Sequence, residues 1–281
     1  MASANIDVRS LTPVIGAEVF GVDLAREVDD GTIRDIRQAL LDHLVIFLPD
    51  QKIGAGDLVA FARRFGEIEP PHPVFDVVPD EPKVTIIEQD GTDASLYNNI
   101  WHTDVTFRAE PAMATILHAQ ILPTIGGDTV WASSYAAYEE LSQPIKALIE
   151  DMTAVHDYYG AFGEAVLNGR GGMDKLLQDI RKFPPVEHPV VRTHPETGRK
   201  GLFVNRSFTR RIAGLSPVES DHLLRLLCEH AEHPNYQVRR RWRVDDLALW
   251  DNRCTMHLAT SNFTERRLMH RITLLGDRPY H

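Results

Sequence analysis

The 281-residue chain is poor in cysteine: Cys228 and Cys254 are the only two, and they do not form a CxxC pair. This excludes a disulfide framework and a cysteine-based zinc site, and it suits a reducing compartment. No run of about 18 apolar residues could cross a bilayer, and Met1 to Asp7 lack the basic segment and apolar run of a secretion signal. Positive charge is also short, with 30 basic against 40 acidic residues and a formal charge of −10, which argues against general binding to nucleic acid or anionic membrane. The expectation is a cytoplasmic protein.

Linkers are missing too. The 17 prolines and 18 glycines are spread rather than clustered, so residues 1–281 read as one domain. An apolar content of 43% with 25% charged residues provides for a substantial core. The arginines are uneven: from Arg206 to Arg278 there are 13 against nine acids, a local excess that would suit an anionic substrate.

Hydrophobic patterning predicts a mainly β protein with flanking helices. Short strands fall within residues 6–24, and Ile33, Ile36, Leu40 and Leu41 recur at helical spacing after Asp29-Asp30-Gly31, predicting a helix to about His43. The continuous apolar run 44–48 reads as a fully buried strand, and a second helix covers about 56–65. Strand-like pieces at 84–87, 114–118 and 128–131 are separated by loops, which suggests antiparallel sheets rather than βαβ units. A helical insertion is expected over about 135–185, with helices at 135–141, 144–152 and 171–183. The Gly-containing segment 158–172 reads equally well as a flap or as a surface loop. Strands at 189–193 and 201–204 would form a hairpin. A helix capped by Ser216 would run from Pro217 to about Glu232 with Leu223, Leu226 and Leu227 inward, and strands return at 236–242, 246–250 and 271–275. Two facing sheets around a pocket, with helices outside, would make a jelly roll, or double-stranded β-helix.

One stretch organises the rest: Trp101-His102-Thr103-Asp104. In an extended segment His102 and Asp104 lie on the same side, because side chains alternate with period two, and both could grip one ion. A distant histidine, His257 in Trp250-Asp251-Asn252-Arg253-Cys254-Thr255-Met256-His257, would complete a two-His-one-carboxylate face of the kind that serves non-haem Fe(II) oxygenases. The same three ligands would equally suit the Zn2+ of a hydrolase. Further signals follow in order: Gly126-Gly127-Asp128-Thr129 at a turn into a strand, then Arg267 and Arg271 after His257.

With these motifs the chain resembles the taurine dioxygenase family of Fe(II)- and 2-oxoglutarate-dependent oxygenases, a family that also holds alkylsulfatases and phenoxyalkanoate dioxygenases. The resemblance runs through nearly the whole chain and includes Ile15-Gly16-Ala17-Glu18-Val19, Ala62-Arg63-Arg64-Phe65-Gly66, His188-Pro189-Val190-Val191 and Phe203-Val204-Asn205. It implies that His102, Asp104 and His257 hold Fe(II), and that Arg267 and Thr129 bind the far carboxylate of 2-oxoglutarate, with O2 as the oxidant. Arg266 is expected at the surface. For the substrate it implies Arg271, His72 in His72-Pro73-Val74-Phe75, Asn98 and the aromatic Phe208. Phe75 departs from the pattern, since the taurine-oxidising members carry a tyrosine there. The missing hydroxyl would weaken recognition of a polar substrate and favour a more apolar sulfonate or sulfate ester. The implied reaction hydroxylates the carbon next to sulfur, releasing sulfite and an aldehyde from taurine or a related alkyl sulfonate. Because Asp104 occupies the carboxylate position, halogenation is excluded. The resemblance also implies a homodimer or homotetramer.

Overall fold

The computed structural model describes residues 6–70, 75–89, 99–168 and 172–281. Its first half builds a large sheet. Strands β1 (Asp7–Ser10) and β2 (Ala17–Phe20) lead to helix α1 (Asp30–His43), strand β3 (Val45–Leu48), helix α2 (Ala55–Ala62) and strands β4 (Val77–Val78), β5 (Glu81–Gln89) and β6 (Ala114–Ile121). Strand β7 (Thr129–Ser133) opens the insertion. There follow α3 (Ser134–Glu139), α4 (Gln143–Ile149), β8 (Thr153–His156), α5 (Tyr159–Asn168), α6 (Gly172–Lys182), β9 (Val186–Pro189), β10 (Val191–Thr193), β11 (Lys200–Leu202) and β12 (Thr209–Ile212). Helix α7 (Pro217–Ala231) precedes the closing strands β13 (Gln237–Arg240), β14 (Leu247–Asp251), β15 (Thr255–Ala259) and β16 (Arg267–Thr273).

Eight strands pair in the order β1-β2-β3-β14-β6-β16-β5-β4, and facing them is a three-stranded sheet, β13-β7-β15. This is the expected jelly-roll arrangement. The apolar run in β3 is continuous because both of its faces are covered. Val45 and Phe47 look into the sandwich, where they meet Trp131, Trp242 and Trp250, while Ile46 and Leu48 pack beneath α1 and α2 with Ile36, Leu40, Leu58 and Phe61. In α1, Asp29 caps the helix by accepting from the Gly31 and Thr32 amides. Leu44 ends it at φ 67°, a left-handed turn that redirects the chain into β3.

The insertion departs from expectation. It is not wholly helical, because β8 pairs with both β9 and β12 to make a small sheet of its own. A four-residue strand flanked by helices offers little periodicity, and its partners lie in distant sequence. Residues 159–168, within the glycine-containing segment, are the helix α5. Phe162 and Val166 pack against Phe107 and Phe208, and the Tyr158 hydroxyl donates to Asp179 of α6 at 3.1 Å. Burial of apolar side chains outweighs the helix penalty of Gly160 and Gly163. In α7 Ser216 caps the helix as expected, in a capping box with Glu219, and Leu227 is buried, but Leu226 is 44% exposed, so the inward face is narrower than its leucines suggested.

The loop 101–108 is moored to the insertion by buried polar groups. His188 Nε2 donates to the Thr106 and Arg108 carbonyls, each at 2.9 Å, and Asn205 Nδ2 donates to the Thr106 hydroxyl at 3.2 Å. Burial pushes the His188 imidazole down from 6.5 to about 4, against the pull of those two carbonyls. The unfolded chain therefore binds more protons than the folded one in this interval, and stability falls as pH drops from 6.5 towards 4, by about 3 kcal/mol from this group. His188→Gln keeps an N–H donor and removes the titration, so urea denaturation should show a flatter pH dependence between 4 and 6.5, and an unchanged slope would refute the assignment. In the core, Leu249→Ala in the middle of β14 should cost about 2–5 kcal/mol in the same experiment, because Leu249 is fully buried between sheet and helices.

Candidate metal and cofactor site

His102 and His257 face each other across an isolated antiparallel bridge and exchange both backbone hydrogen bonds, at 3.0 and 2.7 Å. Their imidazoles consequently lie side by side, with ring centroids 4.2 Å apart. His102 Nδ1 donates to the Ile100 carbonyl at 2.7 Å, so the neutral ring keeps its lone pair at Nε2, the orientation typical of a metal-ligating histidine. Burial pushes both imidazoles down, His257 furthest, so both are neutral near pH 7 and able to ligate.

The expectation of an extended His-x-Asp segment holds only as far as Thr103. A turn begins at Asp104, and Val105 takes φ 49°, a left-handed conformation that is strained for a β-branched residue. The turn brings Asp104 Oδ1 to 3.9 Å from Nε2 of both histidines. The ligand atoms of the three residues lie within 4.8 Å of one another, a cradle whose two neutral nitrogens and one carboxylate oxygen fit a divalent ion. Burial alone would raise the Asp104 carboxyl. Arg271, the two histidines and the Thr115 hydroxyl outweigh it and hold the group well below the usual carboxylate range. Thr115, which donates to Oδ2 at 2.7 Å, had no recognisable signal in the sequence.

Beside His257 lies a small cavity of about 30 Å3, lined by Thr129, Leu117, Ile87, Arg267 and Arg271. Arg267 is 2% exposed; burial pushes its guanidinium down to about 10, leaving it charged near neutral pH, and its Nη2 has no partner among the described residues. Its Nε donates to the Gly127 carbonyl at 3.1 Å. Glycine suits this position, because Gly127 has φ 72° and an added Cβ would stand 3.0 Å from Pro123 and 3.2 Å from the Arg267 side chain. Trp242 Nε1 donates to Thr129 Oγ1 at 3.0 Å, so the threonine hydroxyl is the acceptor there and its own proton is left to donate elsewhere. A buried fork with a spare donor beside a free hydroxyl proton is suited to a carboxylate. Trp242 also escaped the sequence analysis, because an indole partner more than a hundred residues away leaves no local pattern.

A second cavity, of about 50 Å3, opens on the other side of His102 and Asp104. Arg271 borders both cavities, and its Nη2 forms an ion pair with Asp104 Oδ1 at 2.6 Å while its buried Nε has no partner among the described residues. Phe75, Val105, Phe162 and Phe208 form apolar walls; Thr85, Thr273 and Glu69 line the polar side. Glu69 is committed to an ion pair with Arg108. The structure thus brings His102, Asp104, His257, Thr129, Arg267, Arg271, Phe75 and Phe208 around the two cavities. His72 and Asn98 lie outside the described residues. Arg266 is exposed and pairs with Glu88, as expected of a surface residue. A second cluster, His194, Asp251 and Cys254, forms a buried polar network in which Arg253 bonds both Asp251 oxygens and His194 bonds one of them.

Comparison with known proteins identifies the family. Residues 7–273 match the family model described as taurine catabolism dioxygenase TauD, TfdA family. An alpha-ketoglutarate-dependent sulfate ester dioxygenase of Pseudomonas putida is 37% identical, over 98% of this chain and 91% of that protein. An alkylsulfatase of Acinetobacter baylyi is 36% identical, over 97% of this chain and 86% of its own. Among solved structures, a taurine dioxygenase from Burkholderia xenovorans superposes with a TM-score of 0.83 at 39% identity, covering 98% of this chain and 90% of that one. The jelly roll is that of the alpha-ketoglutarate-dependent dioxygenases, and the chain belongs to the TauD/TfdA family.

Proposed function

We propose that the protein hydroxylates the carbon next to the sulfur-bearing group of an alkyl sulfonate or alkyl sulfate ester, with Fe(II) held by His102, Asp104 and His257. The observation that carries this reading is Arg267: a buried, charged guanidinium with an unpartnered Nη2, set in a cavity that reaches the two-His-one-carboxylate face. A zinc hydrolase would have no use for it. Fe(II) with 2-oxoglutarate and O2 supplies the oxidising power that replaces a C–H hydrogen by hydroxyl, 2-oxoglutarate leaving as succinate and CO2.

The chain's own part is binding and placement. Arg267 and Thr129 take the far carboxylate of 2-oxoglutarate through the guanidinium fork and the free hydroxyl proton. Arg271 anchors the anionic head of the substrate, helped by His72 and Asn98 as the family resemblance implies, so that the neighbouring C–H lies over the metal face. Phe75, Val105, Phe162 and Phe208 hold the alkyl chain and exclude water. A hydroxylated sulfonate then collapses to sulfite and an aldehyde, and a hydroxylated sulfate ester to sulfate and an aldehyde.

The pocket favours an alkyl chain over taurine's ammonium. Phe75 offers no hydroxyl, and among the described lining residues Glu69 is already paired with Arg108 and Asp104 belongs to the metal face. The relatives named for sulfate esters support the same direction. Hexyl or octyl sulfate and the matching sulfonates should therefore release sulfate or sulfite, dependent on 2-oxoglutarate and O2, at lower KM than taurine. A preference for taurine would reverse the assignment of the tail, and turnover of aryloxy acids alone would reverse that of the head group. The two arginines should separate kinetically: Arg271→Ala should raise the substrate KM roughly 10- to 100-fold with little change for 2-oxoglutarate, and Arg267→Ala should do the opposite. Equal effects on both ligands in either variant would mean that the arginines are wrongly assigned.

A further inference from the structure

Behind Asp104 runs a chain of hydrogen bonds whose direction is set at its far end. Trp250 Nε1 donates to Asn252 Oδ1 at 2.9 Å, Asn252 Nδ2 donates to Thr115 Oγ1 at 2.9 Å, and Thr115 Oγ1 donates to Asp104 Oδ2 at 2.7 Å. An indole N–H can only donate, so Asn252 must present its oxygen to Trp250 and its NH2 to Thr115. The Thr115 oxygen then accepts, and its single proton has to go to the carboxylate. All four residues are at most 3% exposed, so water does not compete for any of these groups.

We infer that Trp250, Asn252 and Thr115 are positioning residues that engage Oδ2 and turn Oδ1, which Arg271 also approaches at 2.6 Å, toward the two histidines as the oxygen Asp104 would offer to a metal ion. This rests on the proposed metal role of Asp104 and extends it to how the carboxylate binds. Oδ1 is the atom that stands 3.9 Å from both histidine Nε2 atoms, while Oδ2 faces β6. With Oδ2 accepting from Thr115, the carboxylate would present Oδ1 first to an ion held by the two histidines. The arrangement also explains why the Trp-Asp-Asn run lies where it does. Trp250 is directly opposite Thr115 in the β14–β6 register, and the Asn252 amide donates to the Met113 carbonyl at 2.8 Å, which sets the side chain over Thr115.

The test is the affinity of the purified full chain for Mn(II), followed anaerobically by electron paramagnetic resonance, with thermal unfolding of each metal-free variant as the control for folding. Thr115→Val, which keeps the shape and removes the hydroxyl, should weaken Mn(II) binding about 10- to 100-fold, and Thr115→Ser should restore it. Trp250→Phe keeps a ring against His257 and removes the first donor; it should weaken binding less, and should add nothing in the Thr115→Val background, because the chain is already cut there. If Thr115→Val does not fold, Trp250→Phe with its effect on Mn(II) affinity decides the matter. Wild-type affinity in the folded Thr115→Val or Trp250→Phe protein, or strict additivity of the two, would overturn the relay while leaving the metal site standing. Asp104→Ala separates the two ideas: if it binds Mn(II) as tightly as the wild type, the metal role of Asp104 fails, and the relay with it.

Discussion

The candidate site depends on one backbone contact, the two-hydrogen-bond bridge between His102 and His257. These residues are 155 positions apart, yet once their amides and carbonyls pair, their side chains project to the same side at the spacing of neighbouring strands. The cost of bringing such distant segments together is met by the sandwich core around Trp131 and Trp250 rather than by the bridge itself. The turn at Asp104 completes the cradle, and the strain of Val105 persists because His188 and Asn205 fasten the loop at Thr106.

Charge buried without a full set of partners marks where ligands belong. Arg267 has no carboxylate within hydrogen-bonding distance among the described residues, and its spare Nη2 is costly in a protein that binds nothing there. Arg271 differs: it is ion-paired with the same Asp104 oxygen that faces the histidines. A substrate anion that engages Arg271 therefore acts on a group already in contact with the candidate metal ligand, and the two cavities meet at this side chain.

The insertion both fastens the ligand loop and shapes the pocket. Phe162 from α5 and Phe208 before β12 reach the pocket, and behind them Phe107, Tyr158 and Phe183 form a tightly packed aromatic cluster. Aromatic side chains packed in this way hold their positions, so the apolar wall is a formed surface rather than a loose loop.

Much of the site was legible in the chain itself, because its signals are local. His-x-Asp marks two ligands close in sequence, although the turn at Asp104 rather than an extended segment brings them together, and Arg267 and Arg271, four residues apart, share a face of β16. The double-sided apolar run of β3 and the capped helices α1 and α7 could likewise be read from period and end residues. Strand β8 and helix α5 could not, since their stability comes from partners across the insertion and outweighs their own weak propensity. Nor could Trp242 behind Thr129, or the line from Trp250 through Asn252 and Thr115 to Asp104. The sequence alone determined which chemical groups are available and on which side of each segment they stand. Only the tertiary structure decided which donor meets which acceptor, because a hydrogen bond depends on position and direction in space, and pairing between distant strands sets both.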